Sequence, residues 1–504
     1  MLARDRKRKI VLFYPKLHGE GIEEEADFPP LALLAAASMI DRSRYDVRVV
    51  DLRFDNDLER NADELLGGCV CAGVSALSGH QIQNGLDAAR LVRRKAPDVP
   101  VVWGGWHPTL FAEQTAAHPL VDVVVRGQGE ITFPELLESL QNGRDLETVK
   151  GLTFRRNGSV VSTEDRPLTD INEFPEIPYD LVDVNRYLSP NGNGGEKFIY
   201  YSSSVGCPHR CGFCVISLVY KRRWFALPPE RVVNEIESLV KRYGIRIIQF
   251  ADSEFFINKR RVLEICRLMV ERRLGIRWRA LLRSEMLSRY SEEELDLLRD
   301  SGCDQLIFGV ETGSQRVSDI IHKDNRVEDA LESAKRCRQM GVEGHYAFVF
   351  GFPGETREDM LASFDLIAKL KEIDPHCLIP MYFYHPDPST PLYEKAEKMG
   401  LTPPQDLEAW GRVDYNIKEA WAPWITDKYA DLVKRAVVFY LPAAYPADIT
   451  RGTLTHMKSK MERGRKKYLF RLLHHLAKIR VKHRYYGFPI EWRMYNLFHR
   501  HKYR

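Results

Sequence analysis

No stretch of this 504-residue chain is apolar for long enough to cross a bilayer. The longest such run, residues 31–40, falls well short of the roughly 20 residues a spanning helix needs. The basic opening, residues 1–9, leads into a strand-like run at 10–14, with no apolar core of a secretory signal between them. Net charge is only +4, too small at this length to imply a partner by itself. Cysteine is sparse: there are nine, one tight cluster and the rest scattered, which excludes a disulfide framework. A reducing, cytoplasmic location is the simplest home for such thiols. Internal repeats and low-complexity segments are absent. Acidic residues are what the C-terminus lacks. The last fifty or so residues carry about fifteen Lys and Arg against two Glu, so the tail is a separate electrostatic object on an otherwise acidic chain.

What is present points to more than one α/β domain. The length suits two to four domains, and 44% hydrophobic residues suffice for their cores. Short β runs at residues 9–14, 46–51, 71–75, 99–103 and 121–125 alternate with helical stretches at 31–41, 81–96 and 132–142. That rhythm predicts a doubly wound, flavodoxin-like parallel sheet over residues 1–150. Residues 151–193, rich in Pro, Asp and Asn, read as a linker with a small hairpin. A second series follows over 194–400, with strands at 198–204, 245–251, 277–282, 305–310, 344–350 and 378–384. Helices at 229–243, 259–273, 292–301, 327–340 and 357–371 separate them. Six βα units imply a partial (β/α)6 barrel of TIM type, with chemistry at the carboxyl ends of its strands. Residues 401–504 read as a helical C-terminal cap ending in a basic, aromatic tail.

The run Gly206-Cys207-Pro208-His209-Arg210-Cys211-Gly212-Phe213-Cys214 has C-x3-C-x2-C spacing directly after the first strand of that barrel. Three thiolates so close can ligate three irons of a [4Fe–4S] cubane and leave the fourth iron open. The alternatives are a structural zinc site, with His209 or a distant residue as fourth ligand, and coincidental core cysteines. Zinc sites use paired C-x2-C knuckles, and no second pair exists: Cys266, Cys303, Cys337 and Cys377 are scattered.

Cysteines of this spacing at the end of the first strand of a six-unit α/β barrel resemble the radical S-adenosylmethionine (SAM) superfamily. The resemblance implies that Cys207, Cys211 and Cys214 hold the cluster and that its open iron binds the amino and carboxylate groups of SAM. Reductive cleavage would then yield a 5′-deoxyadenosyl radical. It also implies roles strand by strand. Asp252 and Glu254, in Ala251-Asp252-Ser253-Glu254-Phe255-Phe256, would meet the methionyl amine, and Arg283 the carboxylate. Glu311, in Gly309-Val310-Glu311-Thr312-Gly313-Ser314, would contact the cofactor. Phe350 and Gly351, opening Phe350-Gly351-Phe352-Pro353-Gly354-Glu355-Thr356, would flank adenine, with Phe213 nearby.

In the first domain, glycines stand where a parallel sheet binds ligands, at the carboxyl ends of its strands. Gly73 precedes Val74 and Ser75, Gly104 and Gly105 follow Trp103, and Gly127 and Gly129 follow Val125. Tight strand–helix turns alone would account for glycines there, while a large ligand approaching the backbone also requires them. The runs Val102-Trp103-Gly104-Gly105-Trp106-His107-Pro108-Thr109 and Asp122-Val123-Val124-Val125-Arg126-Gly127-Gln128-Gly129-Glu130 resemble the cobalamin-binding domain of cobalamin-dependent radical enzymes. The likeness extends over roughly residues 5 to 400. It is nearest the group containing the anaerobic magnesium-protoporphyrin ester cyclase and carbon methylases. Ser75, Gly104, Gly105, His107, Gly127 and Gly129 are the implied cobalamin contacts. Where the family's histidine-on cobalamin domains carry D-x-H-x-x-G, this chain reads Lys16-Leu17-His18-Gly19-Glu20-Gly21. A ligating histidine needs an acceptor to orient it, and Lys16 supplies none, so His18 is not expected on cobalt. His107 and His80 either approach the corrin or cap helices.

The resemblance thus implies a cobalamin-binding domain, a radical SAM barrel and a helical C-terminal region acting as an enzyme. The leading function is methylation of an unactivated carbon of a small-molecule or lipid substrate. The alternative is radical cyclisation, ring contraction or deoxygenation without methyl transfer; the non-enzymatic one is a zinc-stabilised binding module. Methylthiolation of tRNA would need a second cysteine triplet in the N-terminal half, which is lacking. An external electron donor of flavodoxin or ferredoxin type is implied. Tyr382 and Tyr384, on the sixth strand before His385-Pro386-Asp387-Pro388, are candidates for substrate contact. Trp410, Trp421 and Trp424 read either as core or as a closure over the barrel mouth. The tail, Arg463-Gly464-Arg465-Lys466-Lys467-Tyr468-Leu469-Phe470-Arg471-Leu472-Leu473, interleaves basic and apolar residues. It fits a peripheral contact with anionic lipid, a nucleic-acid surface, or a solvated helix docked on the barrel.

Overall fold

In the computed structural model, the residues described are 7–18, 28–55, 57–188, 195–413, 422–447, 457–463 and 467–499. Near-continuous apolar runs become the interior strands of the first sheet, because a parallel sheet is covered on both faces. These are β1 (Arg8–Tyr14), β2 (Tyr45–Asp51), β3 (Cys69–Ser75), β4 (Val101–Gly104) and β5 (Val123–Val125). β6 (Leu152–Arg156) and β7 (Ser159–Ser162) complete a seven-stranded sheet of order β2-β1-β3-β4-β5-β6-β7. β1 to β5 are parallel, whereas β6 and β7 run antiparallel. The hairpin assigned to the linker is therefore the edge of this sheet. Phe154 pairs with Val123 and packs in its core, and that burial draws the hairpin in. The helix Leu58–Leu66 had no counterpart in the sequence reading.

The second series begins with β8 (Phe198–Tyr201) and the short antiparallel pair β9 (Ser204–Gly206) and β10 (Trp224–Ala226). Then come β11 (Ile247–Phe250), β12 (Arg277–Arg283), β13 (Cys303–Glu311), β14 (Glu343–Phe350) and β15 (Met381–Phe383). β15, β14, β13, β12, β11 and β8 form one six-stranded sheet in that order, a half-barrel of parallel strands. Its helices start where local chemistry dictates. Pro229 opens the helix Pro229–Tyr243 at a position whose N–H needs no partner. Ser291 with Glu294, and Thr356 with Asp359, form capping boxes on the helices Glu292–Asp300 and Arg357–Ile373.

The chain divides into two compact units. The first comprises Met1–Pro208, Val215–Gln249 and Thr402–Ala420; the second comprises His209–Cys214, Phe250–Leu401 and Trp421–Arg504. The region from 401 onward is thus not one body. In the first unit Trp410, on the helix Leu407–Gly411, is fully buried against Phe111, and Glu408 pairs with His118 at 2.7 Å. Within that unit Asp51 and Arg53 form a buried ion pair, with Tyr187 donating to Asp51 at 3.0 Å. Breaking such a pair costs about 3–5 kcal/mol. Among the described residues, no helix is long and apolar enough to cross a membrane.

Candidate active site

In the first unit, the carboxyl ends of β1, β3, β4 and β5 border a cavity of about 310 Å³. Ser75, Gly104, Gly105, Gly127 and Gly129 all line it. Gly105 has φ +97° and ψ −167°, a conformation essentially reserved to glycine. A Cβ there would lie 2.9 Å from the Ala76 carbonyl and 3.0 Å from Ser75 Oγ. Opposite these turns, the wall comes from segments the sequence reading did not connect with the cavity: Phe174 and Tyr179 of the linker, and Tyr201, Tyr220, Arg231 and Glu235. Glu235 accepts from Tyr201 Oη at 2.8 Å and from Arg231 Nε at 2.7 Å. The Tyr179 hydroxyl is buried without a partner among the described residues, and burial pushes its pKa up. Glu130, also lining the cavity, is raised by burial against the opposing pull of the Glu130 and Gly129 amides.

The histidines lie elsewhere. His107 does not line the cavity; its ring packs on Phe111 at 5.1 Å and Trp410 at 5.2 Å, and Nδ1 shares a hydrogen bond with Ser78 Oγ at 2.8 Å. Burial depresses it to about 3, so it is a neutral imidazole packed in the core. His18 and His80 do not line the cavity either, and their backbone carbonyls accept from Asn84 Nδ2. Gly19, Glu20 and Gly21 lie outside the described residues.

All nine cysteines are free thiols, and Cys207, Cys211 and Cys214 are the three that are not buried. Cys207 follows β9. Cys211 and Cys214 belong to a short stretch of the second unit that the loop after the helix Gln315–Ile320 holds in place. Gly212 N donates to the Ile321 carbonyl at 2.8 Å, and Arg210 grips Asp324 through two bonds of 2.7 and 2.8 Å. Two cations converge on this stretch. Arg283, ending β12, places Nη1 3.5 Å from Cys211 Sγ, while its Nη2 donates to the Lys323 carbonyl. Lys323 Nζ donates to Glu311 at 2.7 Å and stands 5.9 Å from the Phe213 ring centroid. Burial alone would depress the Lys323 ammonium; Glu311 first, and then Cys211, outweigh it and hold the pKa above its ordinary value.

Glu311 reaches Lys323 because β13 breaks register against β14 between Gly309 and Glu311, and Glu311 takes φ +67°. Bulges of this kind re-aim a side chain at a strand end. Glu254, 2% exposed, accepts from Phe256 N at 2.9 Å and Arg283 N at 2.7 Å, and burial raises it to about 7. Its oxygens thereby join the ends of β11 and β12. Asp252 is buried beside it in sequence.

The motifs ending β13 and β14 are knitted together. Gly313 N donates to Ser363 Oγ at 2.8 Å, and a Cβ on Gly313 would lie 2.5 Å from the Ala362 carbonyl. Ser314 and Arg316 both bond Asp359. Burial would raise that carboxyl, but Arg316 and the Ser314 and Thr356 hydroxyls hold it well below the ordinary range. The Phe350 carbonyl accepts from Tyr384 N at 2.8 Å, and the Gly351 carbonyl from Trp424 Nε1 at 2.8 Å. Gly351 N donates to Glu355, which also accepts from Tyr429 Oη at 2.7 Å and is raised by burial to about 7. With both carbonyls engaged, this turn offers a ligand shape more than acceptors. Phe213 packs on Phe352 at 5.6 Å.

Of the two sixth-strand tyrosines, Tyr382 is 57% exposed. Tyr384 is buried in a cluster with Val317, Ile321, Phe352 and Leu392. Trp421 lies outside the described residues. Lys323, Tyr429 and Glu355, which bond residues of the barrel motifs, are not singled out by the sequence pattern. The signals were the position of Lys323 close after the fourth-strand motif and that of Glu355 within the fifth-strand one.

The donor sets fit the groups the motifs imply. The only accessible thiols are Cys207, Cys211 and Cys214, close in sequence and with Arg283 beside Cys211, and glycines leave backbone open to a cavity at the sheet's ligand-binding edge. Among the described residues no three or more His, Cys, Asp or Glu side chains are gathered at metal-ligating distance, the three thiols included.

Comparison with known proteins agrees. Residues 201–367 match the radical SAM superfamily and residues 21–137 the B12 binding domain. An uncharacterized methyltransferase of Pyrococcus horikoshii is 31% identical over 82% of this chain and 88% of its own length. The anaerobic magnesium-protoporphyrin IX monomethyl ester cyclase of Synechocystis is 26% identical over 74% of this chain and 72% of its own. In fold, the chain resembles the radical SAM methyltransferase TsrM of Kitasatospora setae, solved with cobalamin and a [4Fe–4S] cluster. That match has a TM-score of 0.69 and 18% identity, and covers 94% of this chain and 99% of the other.

Proposed function

We propose that this chain, which belongs to the cobalamin-binding radical SAM enzymes, methylates an unactivated carbon of a small-molecule or lipid substrate. What carries the reading is one chain holding both a glycine-bordered cavity at the edge of a B12-type sheet and an accessible cysteine triplet on a radical SAM barrel. Methyltransferases among its relatives support the outcome. When bound, the cluster with SAM supplies a 5′-deoxyadenosyl radical and the cobalamin a methyl group.

The chain's residues bind and orient. Cys207, Cys211 and Cys214 would hold the cluster. Arg283 and the Lys323–Glu311 pair set the charge beside it, and Glu254 and Asp252 contribute carboxyl groups at the end of β11. Phe213, Phe350 and Gly351 would shape the adenine site. Ser75, Gly104, Gly105, Gly127 and Gly129 would meet the corrin, with no histidine among the cavity's lining residues. Tyr382 is the sixth-strand side chain left open to substrate. An external flavodoxin- or ferredoxin-type donor would supply electrons, and the basic tail would bring the enzyme to a membrane surface. Kinship with the cyclases supports a second reading, radical ring closure without methyl transfer.

Anaerobic reconstitution with iron, sulfide and cobalamin tests this. About four irons per chain, bound cobalt, and 5′-deoxyadenosine formation lost in Cys211→Ala are expected. Transfer of label from methyl-labelled SAM separates methylation from ring closure. Zinc in place of iron, with no SAM cleavage under any reductant, would refute the enzymatic reading.

A further inference from the structure

Of the fifteen large apolar side chains exposed among the described residues, eight lie between Tyr468 and Met494. They are concentrated on and just after the helix Lys467–Lys482, in the second unit. One face of that helix is committed to the protein. Ala477 and Val481 are buried, and His474 Nδ1 bonds the Ala443 carbonyl at 2.9 Å. The rest of its circumference is sorted by chemistry. At 3.6 residues per turn, Lys467, Lys478, Arg471, Lys482 and His475 fall within an arc of about 80°. Tyr468, Ile479 and Leu472 occupy the next 40° or so. These apolar side chains are 72%, 45% and 56% exposed.

The turn that follows extends the pattern on a rigid frame. Arg480 donates to the Gly487 and Phe488 carbonyls at 2.7 and 2.9 Å and pairs with Glu491 at 2.9 Å, while Arg484 pairs with Asp365. Phe488 is nevertheless 81% exposed. Its presentation to solvent is therefore built by the bonds of its own turn. Among the described residues from 457 onward, the carboxylates are Glu462 and Glu491, the latter already paired with Arg480, so the surface presents cations nearly alone.

We infer that this helix and the Phe488 turn form a docking face for an anionic lipid bilayer, with the apolar stripe entering the headgroup–acyl boundary and the basic stripe meeting phosphate. The juxtaposition selects the partner. A nucleic acid would use the cations and the tyrosine but has no use for Leu472 and Ile479, whereas an interfacial helix uses both stripes. The inference rests on the reading above of a membrane-surface enzyme and assigns the surface that serves it.

Flotation of the full-length protein with phosphatidylcholine vesicles, with and without 30% phosphatidylglycerol, is the test. Binding should require the anionic lipid and weaken with salt. Lys478→Ser with Lys482→Ser should lower partitioning about 25-fold, at roughly fivefold per charge. Leu472→Ser with Ile479→Ser should lower it at least tenfold without changing its salt dependence. No binding to anionic vesicles, or binding that neither pair alters, would overturn the inference. So would capture of a single-stranded RNA through Lys478 and Lys482 without vesicle binding. Assaying 5′-deoxyadenosine formation without lipid in the same preparations keeps the two readings apart. Failure of docking with cleavage intact refutes this inference alone, and loss of cleavage with docking intact refutes only the enzymatic one.

Discussion

Replacing Lys323 by methionine isolates the pair on which the cysteine-bearing stretch leans. Lys323 and Glu311 side chains are 6% and 11% exposed and bonded at 2.7 Å, so neither charge is screened by solvent. Methionine keeps the length of the stem and removes the ammonium, leaving the Glu311 carboxylate buried without its partner. Breaking a buried pair from one side costs about 3–5 kcal/mol, most of it the desolvation of the charge left behind. Glu311→Gln should cost a similar amount by stranding the ammonium. Lys323→Met with Glu311→Gln removes both charges, and two neutral side chains of similar shape should return to within about 1–2 kcal/mol of the parent. The coupling in the cycle is then about 4 kcal/mol or more. The chain has two units, so a single unfolding midpoint would mix them. Hydrogen exchange of peptides spanning residues 303–325 in the apo protein reads the pair locally. Each single variant should lower protection there by about two decades or more, since 1.36 kcal/mol is tenfold, and the double variant should restore most of it. Additive losses would show that the two groups act independently and would refute the pair.

A second expectation concerns Glu254. It titrates near 4.5 in the unfolded chain and near 7 in the fold, so over that window the unfolded state binds fewer protons and stability falls as pH rises. The protection of Glu254→Gln relative to the parent, from hydrogen exchange of peptides spanning residues 250–285 in the apo protein, should therefore improve by about 3 kcal/mol, roughly two decades, between pH 4.5 and 8; parallel profiles would contradict it. Gly105→Ala forces a Cβ to 2.9 Å from the Ala76 carbonyl and should cost more than about 2 kcal/mol. Cobalamin retention, read by its visible absorbance, should fall at least tenfold. Gly143→Ala, with φ +62° and open space around it, should leave retention unchanged.

Periodicity along the chain was enough to place all five parallel strands of the first sheet and all six of the half-barrel. Strand periodicity is local, and a covered parallel sheet demands apolar runs of the kind seen at Val123–Val125. The cysteine triplet and the glycines at strand ends were legible for a similar reason: spacing within a few residues is itself the geometry. Tertiary packing decided everything that joins distant segments. The 152–162 hairpin could not be told from linker until Phe154 met the sheet. His107, beside two cavity glycines in sequence, points into the core because Phe111 and Trp410 close over it. Tyr382 and Tyr384, two residues apart, part company because only Tyr384 finds Phe352 and Leu392 to bury against. Lys323 meets Glu311 only because a bulge in β13 turns Glu311 toward it. Local spacing determined which chemistry the chain can carry, whereas burial, which depends on every neighbour at once, decided which of its polar side chains are free to take part.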